Sequence, residues 1–219
     1  MAVSPSDHPA TRQRLLEAAG EVFAEGGYRA TTVRAICRHA GANIAAVNYH
    51  FGDKRALYVA VVRFAHSCAG DRHPLDLAAL RRLRPQPRLH AFVHAFLMRL
   101  LDQGRPAWHG KLMAREMVEP GSALDELVEK AIRPQYLLLA SIVTGLVGAL
   151  DEVEMRRACT SVVSQCLFYH HARPVLVRLF PALRLDQDEI EALSAHITAF
   201  SVGGLRARYR TERARRSRR

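Results

Sequence analysis

Hydrophobic residues recur along the chain at spacings of three and four, which is the period of an amphipathic α-helix. In the first such segment Leu15, Ala19 and Phe23 fall on one face, and Gly26 with Gly27 ends the pattern. No stretch shows the alternation of apolar and polar residues between turn signals that is typical of β-hairpins. The sequence therefore predicts an all-α protein.

The next segments are short helices bounded by glycines and capping residues. The segment TTVRAICRHAG starts with threonines, whose side chains can accept hydrogen bonds from free backbone amides, and it stops at Gly41. Asn43 can cap IAAVNYHF, which Gly52 closes, and Asp53 can cap the longer helix that follows. Two short helices joined by a glycine-containing turn of three to four residues are the signature of a helix-turn-helix, whose second helix can enter the DNA major groove.

From about residue 70 onward the predicted helices are longer and are separated by Pro, Gly and Asp. They cover 75–83, 86–103, 107–118, 122–133, 134–150, 151–180 with a break near Pro174, and 187–209. The apolar run Tyr136–Leu150 is shorter than the ~18 to 20 residues that span a bilayer. We interpret it as a buried core helix and predict no membrane association. The N-terminus lacks the long apolar centre of a secretory signal, which favours a cytoplasmic location.

The composition is ordinary, but the positive charge is concentrated near the C-terminus. Hydrophobic residues make up 49% of the chain and charged residues 24%, which is ordinary for a globular protein. The formal net charge is +11, and residues 206–219 contribute most of it with eight arginines and one glutamate. We predict a basic, disordered tail there. Such a tail adds non-specific attraction to phosphate, but taken alone it does not establish a nucleic-acid function.

Motifs for metal, redox or catalytic chemistry are weak or absent. The cysteines form no CxxC pair, and Cys159 with Cys166 fits a thiol sensor less well than buried packing. His90 and His94 stand at i and i+4, but no third ligand follows at a recognisable spacing, so we predict no metal site. HExxH, GxSxG, P-loop and GxGxxG motifs are absent, so the sequence predicts no enzyme and no cofactor.

Residues 11–60 resemble the TetR family of bacterial transcription regulators. The resemblance rests on the first helix ending in FAEGGYRATTVRAI, the glycine turn, and VNYHFGDKRALY. It implies an N-terminal three-helix helix-turn-helix DNA-binding domain followed by a larger helical ligand-binding and dimerisation domain. We place these domains at 1–55 and 56–205, with the basic tail at 206–219.

The function implied by the resemblance is that of a sequence-specific transcriptional regulator. We expect a homodimeric repressor that binds double-stranded DNA at a pseudo-palindromic operator and is released by a small-molecule effector. An architectural DNA-binding protein without ligand response and a regulator that acts as an activator are the alternatives. The roughly 150 residues beyond the helix-turn-helix favour a regulator over an architectural protein, because phosphate attachment alone does not need them.

The resemblance also implies which side chains contact DNA. The candidates are Thr32, Ile44, Ala45, Ala46, Asn48, Tyr49, His50 and Lys54. Thr32 would reach a phosphate, the residues from Ile44 to Ala46 would touch base edges, and the last three would hold the DNA backbone. Ile44 fits the protein core equally well, and Tyr49 packing under the fourth helix or His50 capping the third are further alternatives. Asn48 stands where the family often has a phosphate-contacting tyrosine, so it can pair with adenine or bond a phosphate.

The larger domain has candidate residues for a ligand and for a partner subunit. Methionine and aromatic residues at helical spacing can line an effector pocket, although such residues more often form core. The pocket candidates are Met98, Trp108, Met113, Met117, Tyr136, Phe168 and Tyr169. Because one short recognition helix reads few base pairs, we expect a two-fold dimer that addresses half-sites about 34–36 Å apart. Two late helices would form its interface, with the candidates Val162, Cys166, Leu193, Ile197, Phe200 and Gly204.

Overall fold

The computed structural model describes residues 8–101 and 106–216, and most of these residues are helical. The first seven helices are α1 (His8–Ala30), α2 (Val33–Ala40), α3 (Ile44–Phe51), α4 (Lys54–Arg72), α5 (Leu77–Arg82), α6 (Pro85–Leu101) and α7 (Ala107–Val118). They are followed by α8 (Ser122–Leu127), a π-helical turn (Val128–Ile132), α9 (Arg133–Val147), α10 (Glu152–His171), α11 (Arg173–Leu179) and α12 (Gln187–Arg216). The described residues contain no β-strand, so the all-α prediction is confirmed.

Local capping sets the boundaries of the short helices, as the sequence predicts. The Thr32 hydroxyl accepts a hydrogen bond from the amide of Ala35 at 3.1 Å, and Asn43 Oδ1 accepts one from the amide of Ala46 at 2.8 Å. Gly41 ends α2 in the left-handed region, with φ of 60° and ψ of 38°. The turn between α2 and α3 is therefore fixed by a glycine on one side and an asparagine cap on the other.

One packing unit comprises residues 8–69 and 106–133, so α7 and α8 join the first four helices. Its fully buried side chains include Leu15, Phe23, Ile36, Val47, Leu57, Val61 and Leu112. Arg115 of α7 donates hydrogen bonds to the carbonyls of Ala24 and Glu25 at 3.4 and 3.0 Å. These carbonyls lie just before Gly27, where the backbone of α1 leaves the helical region with φ of 73° and ψ of 169°. An arginine from a distant helix thus satisfies carbonyls at the α1 break.

The buried carboxylate of Glu116 is a second link within this unit. Glu116 is fully buried; the Tyr58 hydroxyl donates a hydrogen bond to it, and the amide of Gly121 donates another at 2.9 Å. Burial and the neighbouring carboxylate raise the pKa of Tyr58. The phenol therefore stays a proton donor to Glu116.

The other packing unit comprises residues 70–101 and 134–216. Its buried side chains include Leu89, Val93, Leu97, Ile142, Val162, Cys166 and Ile197. The Tyr209 hydroxyl donates a hydrogen bond to Glu154 at 2.7 Å, which joins α12 to α10, and Gln165 donates one to Ser201 at 3.0 Å. Burial raises the pKa of the Cys159 and Cys166 thiols to about 11 and about 12. This favours the packing role predicted for the pair over a reactive thiolate.

Two expectations about chain organisation differ from the structure. The predicted domain boundary at residue 55 does not coincide with the packing units, because α4 and α7 both bury apolar side chains in the N-terminal core. Residues 206–216 continue α12 as helix where the sequence predicted disorder; Tyr209 within this stretch and Leu205 just before it are buried. Residues 217–219 of the predicted tail lie outside the described part of the chain.

The apolar stretch predicted to be a core helix lies in α9 as far as Val147, and Leu139, Ile142 and Val143 are buried there. No single helix among the described residues is long and apolar enough to cross a membrane. A bent pair, Ala123–Val147 with Glu152–His171, meets that test only when the two helices are taken together.

Candidate DNA-binding surface

One face of α3 is buried and the other is open to solvent. Val47 is fully buried and Phe51 packs against the same core. Ile44 is 45% exposed and Tyr49 is 73% exposed, and Ala45 and Asn48 are exposed beside them. Ile44 is therefore a surface residue, which settles one of the alternatives left open by the sequence. Large apolar side chains in this position can contact the methyl groups and edges of bases.

Two other α3 candidates are only partly accessible. Ala46 is half-buried against the N-terminal core, so it offers less surface than Ala45. His50 is half-buried, and its ring lies edge-on to the ring of Tyr49 with centroids 5.0 Å apart. The histidine ring thus packs against one side of the exposed Tyr49 ring.

The start of α2 presents polar groups next to this face. Thr32 is exposed, and its oxygen accepts the capping hydrogen bond while its own proton can be donated to a phosphate. Arg34 and Arg38, four residues apart, are exposed on α2 while Ile36 and Cys37 are buried. The family resemblance implied no role for these two arginines. Their place opposite the buried residues of a short amphipathic helix was the signal that could have found them.

Lys54 has a fixed position at the start of α4. Its ammonium nitrogen lies 4.6 Å from the centroid of the Tyr28 ring and donates a hydrogen bond to the carbonyl of Arg29 at 3.4 Å. Asp53 caps the same helix by accepting a hydrogen bond from the amide of Ala56 at 2.7 Å. A lysine ammonium has three protons, so it can keep these contacts and still donate to a phosphate.

A cation also lies beside the end of α3. The guanidinium of Arg12, which is exposed on α1, lies 5.2 Å from the centroid of the Phe51 ring. Arg12 thus lies within α1, against the aromatic end of α3.

The residues predicted for an effector pocket are divided between the two cores. Trp108 and Met113 pack in the N-terminal core, whereas Met98, Tyr136 and Tyr169 pack in the C-terminal core. Met117 and Phe168 are 48% and 57% exposed. The seven side chains therefore do not gather in one core, because helical spacing shows that a residue is buried but not which helix buries it.

Four of the predicted dimer residues face inward. Val162 and Cys166 of α10 and Leu193 and Ile197 of α12 are buried in the core of their own packing unit, so these four side chains offer no surface to a partner. Phe200 is 68% exposed and Gly204 is also exposed. An added Cβ at Gly203 or Gly204 would meet no atom within 4 Å.

Two family models match the chain, and together they cover most of it. The model described as "Bacterial regulatory proteins, tetR family" matches residues 15–61, and the model of the C-terminal domain of the HTH-type transcriptional dual regulator CecR matches residues 85–205. CecR of Shigella flexneri is 26% identical over 196 residues, which is 85% of this chain and 87% of that protein. The repressor AcnR of Corynebacterium efficiens is 42% identical over 64 residues, which is 29% of this chain and 34% of that protein.

Solved structures share the fold at low sequence identity. A regulator described as putative from Pseudomonas aeruginosa PAO1 has a TM-score of 0.67 and 19% identity, covering 94% of this chain and 96% of that one. FadR from Bacillus subtilis, in complex with stearoyl-CoA, has a TM-score of 0.59 and 16% identity, covering 88% of this chain and 98% of that one. With a helix-turn-helix at its N-terminus and a CecR-type C-terminal domain, the chain belongs to the TetR family of bacterial transcription regulators.

Proposed function

We propose that the protein is a homodimeric, cytoplasmic repressor that binds a pseudo-palindromic operator and is released by a small-molecule effector. The observation that carries the DNA-binding part is the face of α3 formed by Ile44, Ala45, Asn48 and Tyr49. This face is exposed on a helix that is capped at its start and buried on its other side. Such a helix can enter the major groove without exposing the core.

We assign different tasks to the candidate residues of this surface. Ile44, Ala45 and Asn48 would meet base edges, and Ala46 would contribute less because it is half-buried. Thr32, Tyr49 and Lys54 would contact phosphates, with His50 supporting Tyr49. The exposed Arg34 would add a further phosphate contact next to Thr32.

The test is fluorescence anisotropy on DNA from upstream of the protein's own gene, against a scrambled duplex, at ~150 mM salt. We expect Tyr49→Ala and Lys54→Ala each to weaken binding to both duplexes by a similar factor. Asn48→Ala should in addition blur the preference at one base position by about 1–3 kcal/mol. Lys130→Ala, which removes an exposed lysine of the same unit, is the matched control for Lys54→Ala.

Each outcome of this assay bears on the proposal. Specific binding that Tyr49→Ala and Asn48→Ala weaken, while Lys130→Ala leaves it unchanged, supports it. Equal binding to both duplexes at this salt favours the architectural alternative, and a panel of genomic fragments then separates that alternative from an operator elsewhere. Folded variants that bind like the wild type would refute the assigned surface.

The effector part of the proposal follows from what such regulators need. A ligand that binds one conformation of the larger domain more tightly can lower operator affinity, and about 1–3 kcal/mol of coupling changes it 5 to 150-fold. FadR, which shares the fold, is described with bound stearoyl-CoA, and this supports a small-molecule effector here. Release of labelled operator by a candidate compound, at constant protein concentration, is the measurement.

The dimer part rests on an exposed apolar surface in the C-terminal unit. Phe168 of α10 and Phe200 of α12 are 57% and 68% exposed, although large aromatic side chains are usually buried. The open space at Gly203 and Gly204 would let a partner helix approach closely. We therefore keep Phe200 and Gly204 in the interface and replace the four buried candidates with Phe168 and Gly203.

Light scattering after size exclusion tests this interface. We expect Phe200→Glu to shift the protein from dimer to monomer and to lower operator affinity, because a charge would be buried against the partner. Phe180→Glu is the matched control, since Phe180 is 58% exposed and lies outside α10 and α12. A Phe200→Glu protein that remains dimeric would place the interface elsewhere.

A further inference from the structure

An open cavity of about 870 Å³ lies within the C-terminal unit. It is bounded by the start of α6, the end of α9 and one flank of α12. Its apolar walls are formed by Pro85, Pro87, Leu146, Ala195 and Ala199. None of the residues predicted for the effector pocket lines it. The volume falls in the range of about 300–1,000 Å³ that is usual for small-molecule sites.

The polar groups of this cavity are basic. Arg84, just before α6, and Arg206 of α12 line it, and no carboxylate lines it among the described residues. Neither guanidinium makes an ion pair within the described part of the chain, whereas Arg208 is 3.7 Å from Glu154. Two cations around an apolar pocket attract an anion, since guanidinium groups match carboxylate and phosphate oxygens in geometry.

A histidine in the cavity wall already has a carboxylate partner. His90 lines the cavity, and its Nε2 lies 3.4 Å from a carboxylate oxygen of Glu191. The other oxygen of Glu191 lies 3.4 Å from Nε2 of His94. The positive potential of the cavity therefore comes mainly from the two arginines.

A buried hydroxyl in the cavity wall also points to a ligand. Thr198 is only 4% exposed, and its Oγ1 has no hydrogen-bond partner among the described residues. A buried hydroxyl without a partner costs free energy, and an oxygen of a bound molecule would supply the missing acceptor. Thr198 and Arg206 stand on α12 eight residues apart, so both face the cavity from one helix.

The backbone around the cavity is closely packed on one side. A Cβ at Gly145 of α9 would lie 3.1 Å from Cγ of Pro85, so α9 lies directly against the first residue of α6. Pro85 and Pro87 have no N–H, which leaves Gln86 to offer a free backbone donor in this turn. Recognition of an anion here would depend on side chains more than on the helix end.

We propose that this cavity binds a small organic anion. Its carboxylate or phosphate group would lie between Arg84 and Arg206 and accept the hydrogen bond of Thr198, and its apolar part would contact the proline and alanine walls. The inference concerns binding in the absence of DNA, so it can hold even if the ligand does not alter operator affinity. A role as effector site would rest on the proposed function.

Two fluorescent probes with one skeleton provide the test on the full-length protein. 1-Anilinonaphthalene-8-sulfonate carries an anionic group, and N-phenyl-1-naphthylamine is its neutral counterpart. We expect the anionic probe to bind more tightly and its affinity to fall at high salt. Arg84→Gln and Arg206→Gln should each weaken it by about tenfold or more and leave the neutral probe unchanged. Thr198→Val should weaken the anionic probe by a smaller factor.

Controls and competitors decide the outcome. Arg81→Gln, which removes an exposed arginine outside the cavity, should leave both probes unaffected. Displacement by decanoate or by decyl phosphate, but not by decanol, supports the site and identifies the anionic group. The inference is overturned if the anionic probe does not bind, if the arginine variants bind it like the wild type, or if Arg81→Gln weakens it equally. Operator binding by Arg84→Gln, measured separately, distinguishes failure of this site from failure of the proposed function.

Discussion

Gly20 provides a sharp test of packing in the N-terminal unit, because a helix interior normally favours alanine over glycine. In an isolated helix the change to alanine stabilises by about 1 kcal/mol. In the protein, an added Cβ would lie 2.3 Å from Cζ3 of Trp108, whereas carbon atoms in contact are about 3.5–4.0 Å apart. The alanine or the indole must therefore move by about 1 Å or more.

The indole of Trp108 has little room for such a movement. It is 8% exposed, its ring stacks on that of Phe64 with centroids 6.3 Å apart, and the ring of His109 lies edge-on at 4.1 Å. Overpacking of a closely packed core costs about 1–3 kcal/mol. After the gain in helix propensity is subtracted, we expect Gly20→Ala to lower the free energy of unfolding of this unit by up to about 2 kcal/mol.

Gly110 is the matched control for Gly20. It lies inside α7, and an added Cβ there would meet no atom within 4 Å. Gly110→Ala should therefore raise the free energy of unfolding by about 0.5–1 kcal/mol. The same glycine-to-alanine substitution is therefore expected to change the free energy of unfolding in opposite directions at two helical glycines of one unit.

Urea denaturation followed by tryptophan fluorescence measures this effect. The chain contains one tryptophan, so the signal reports the N-terminal unit, while far-UV circular dichroism reports all the helices. The reasoning is refuted if Gly20→Ala stabilises the unit as much as Gly110→Ala does. A double-mutant cycle with Trp108→Ala, followed by circular dichroism, should show that Gly20→Ala is no longer destabilising, with a coupling of about 0.5–3 kcal/mol.

Three further predictions concern a buried hydrogen bond, a thiol and a helix cap. Tyr58→Phe removes a donor from the buried carboxylate of Glu116 and should cost about 1–3 kcal/mol in urea denaturation, whereas Tyr49→Phe at an exposed site should cost little. Because burial raises the pKa of Cys166 from 9.0 to about 12, its contribution to stability is complete below pH 9.0 and is lost as the pH rises towards 12. Cys166→Ala should weaken that decline in circular-dichroism melts across this pH range. Thr32→Ala should cost about 0.5–2 kcal/mol in thermal unfolding, and Thr32→Ser should recover most of it.

Local signals explain why the helix-turn-helix could be predicted from the sequence. A cap needs only a side-chain oxygen and an amide three residues further on, so Thr32 and Asn43 indicate where α2 and α3 begin. The glycines that end these helices are also next to them in the sequence. The exposed face of α3 follows from its buried residues, since a helix of this length has one apolar side.

Partners far apart in the sequence explain what the pattern missed. The periodicity of α7 shows that Trp108 and Leu112 are buried, but it does not show that they pack beside α1. Gly20 has an apparent cost within α1 alone, and the reason for it becomes visible only when the indole of Trp108 lies against the backbone. In the cavity, Arg84 precedes α6 whereas Thr198 and Arg206 stand on α12, far along the chain, so no local spacing predicts that they meet.

The exposed stripe of α12 explains why the predicted dimer residues were misplaced. The buried Leu193 and Ile197 form one stripe of α12, and the exposed His196, Phe200 and Gly203 form another. Both stripes have the spacing of three and four residues that is typical of a helix face, so spacing alone does not show which stripe is buried. The more apolar stripe gains more by burial and packs within its own subunit. The large apolar side chains that remain for a partner are Phe200 of α12, beside Gly203 and Gly204, and Phe168 of α10. Because an interface of this kind would rely on close backbone approach and little apolar area, we expect the proposed dimer to dissociate on dilution more readily than the subunit unfolds.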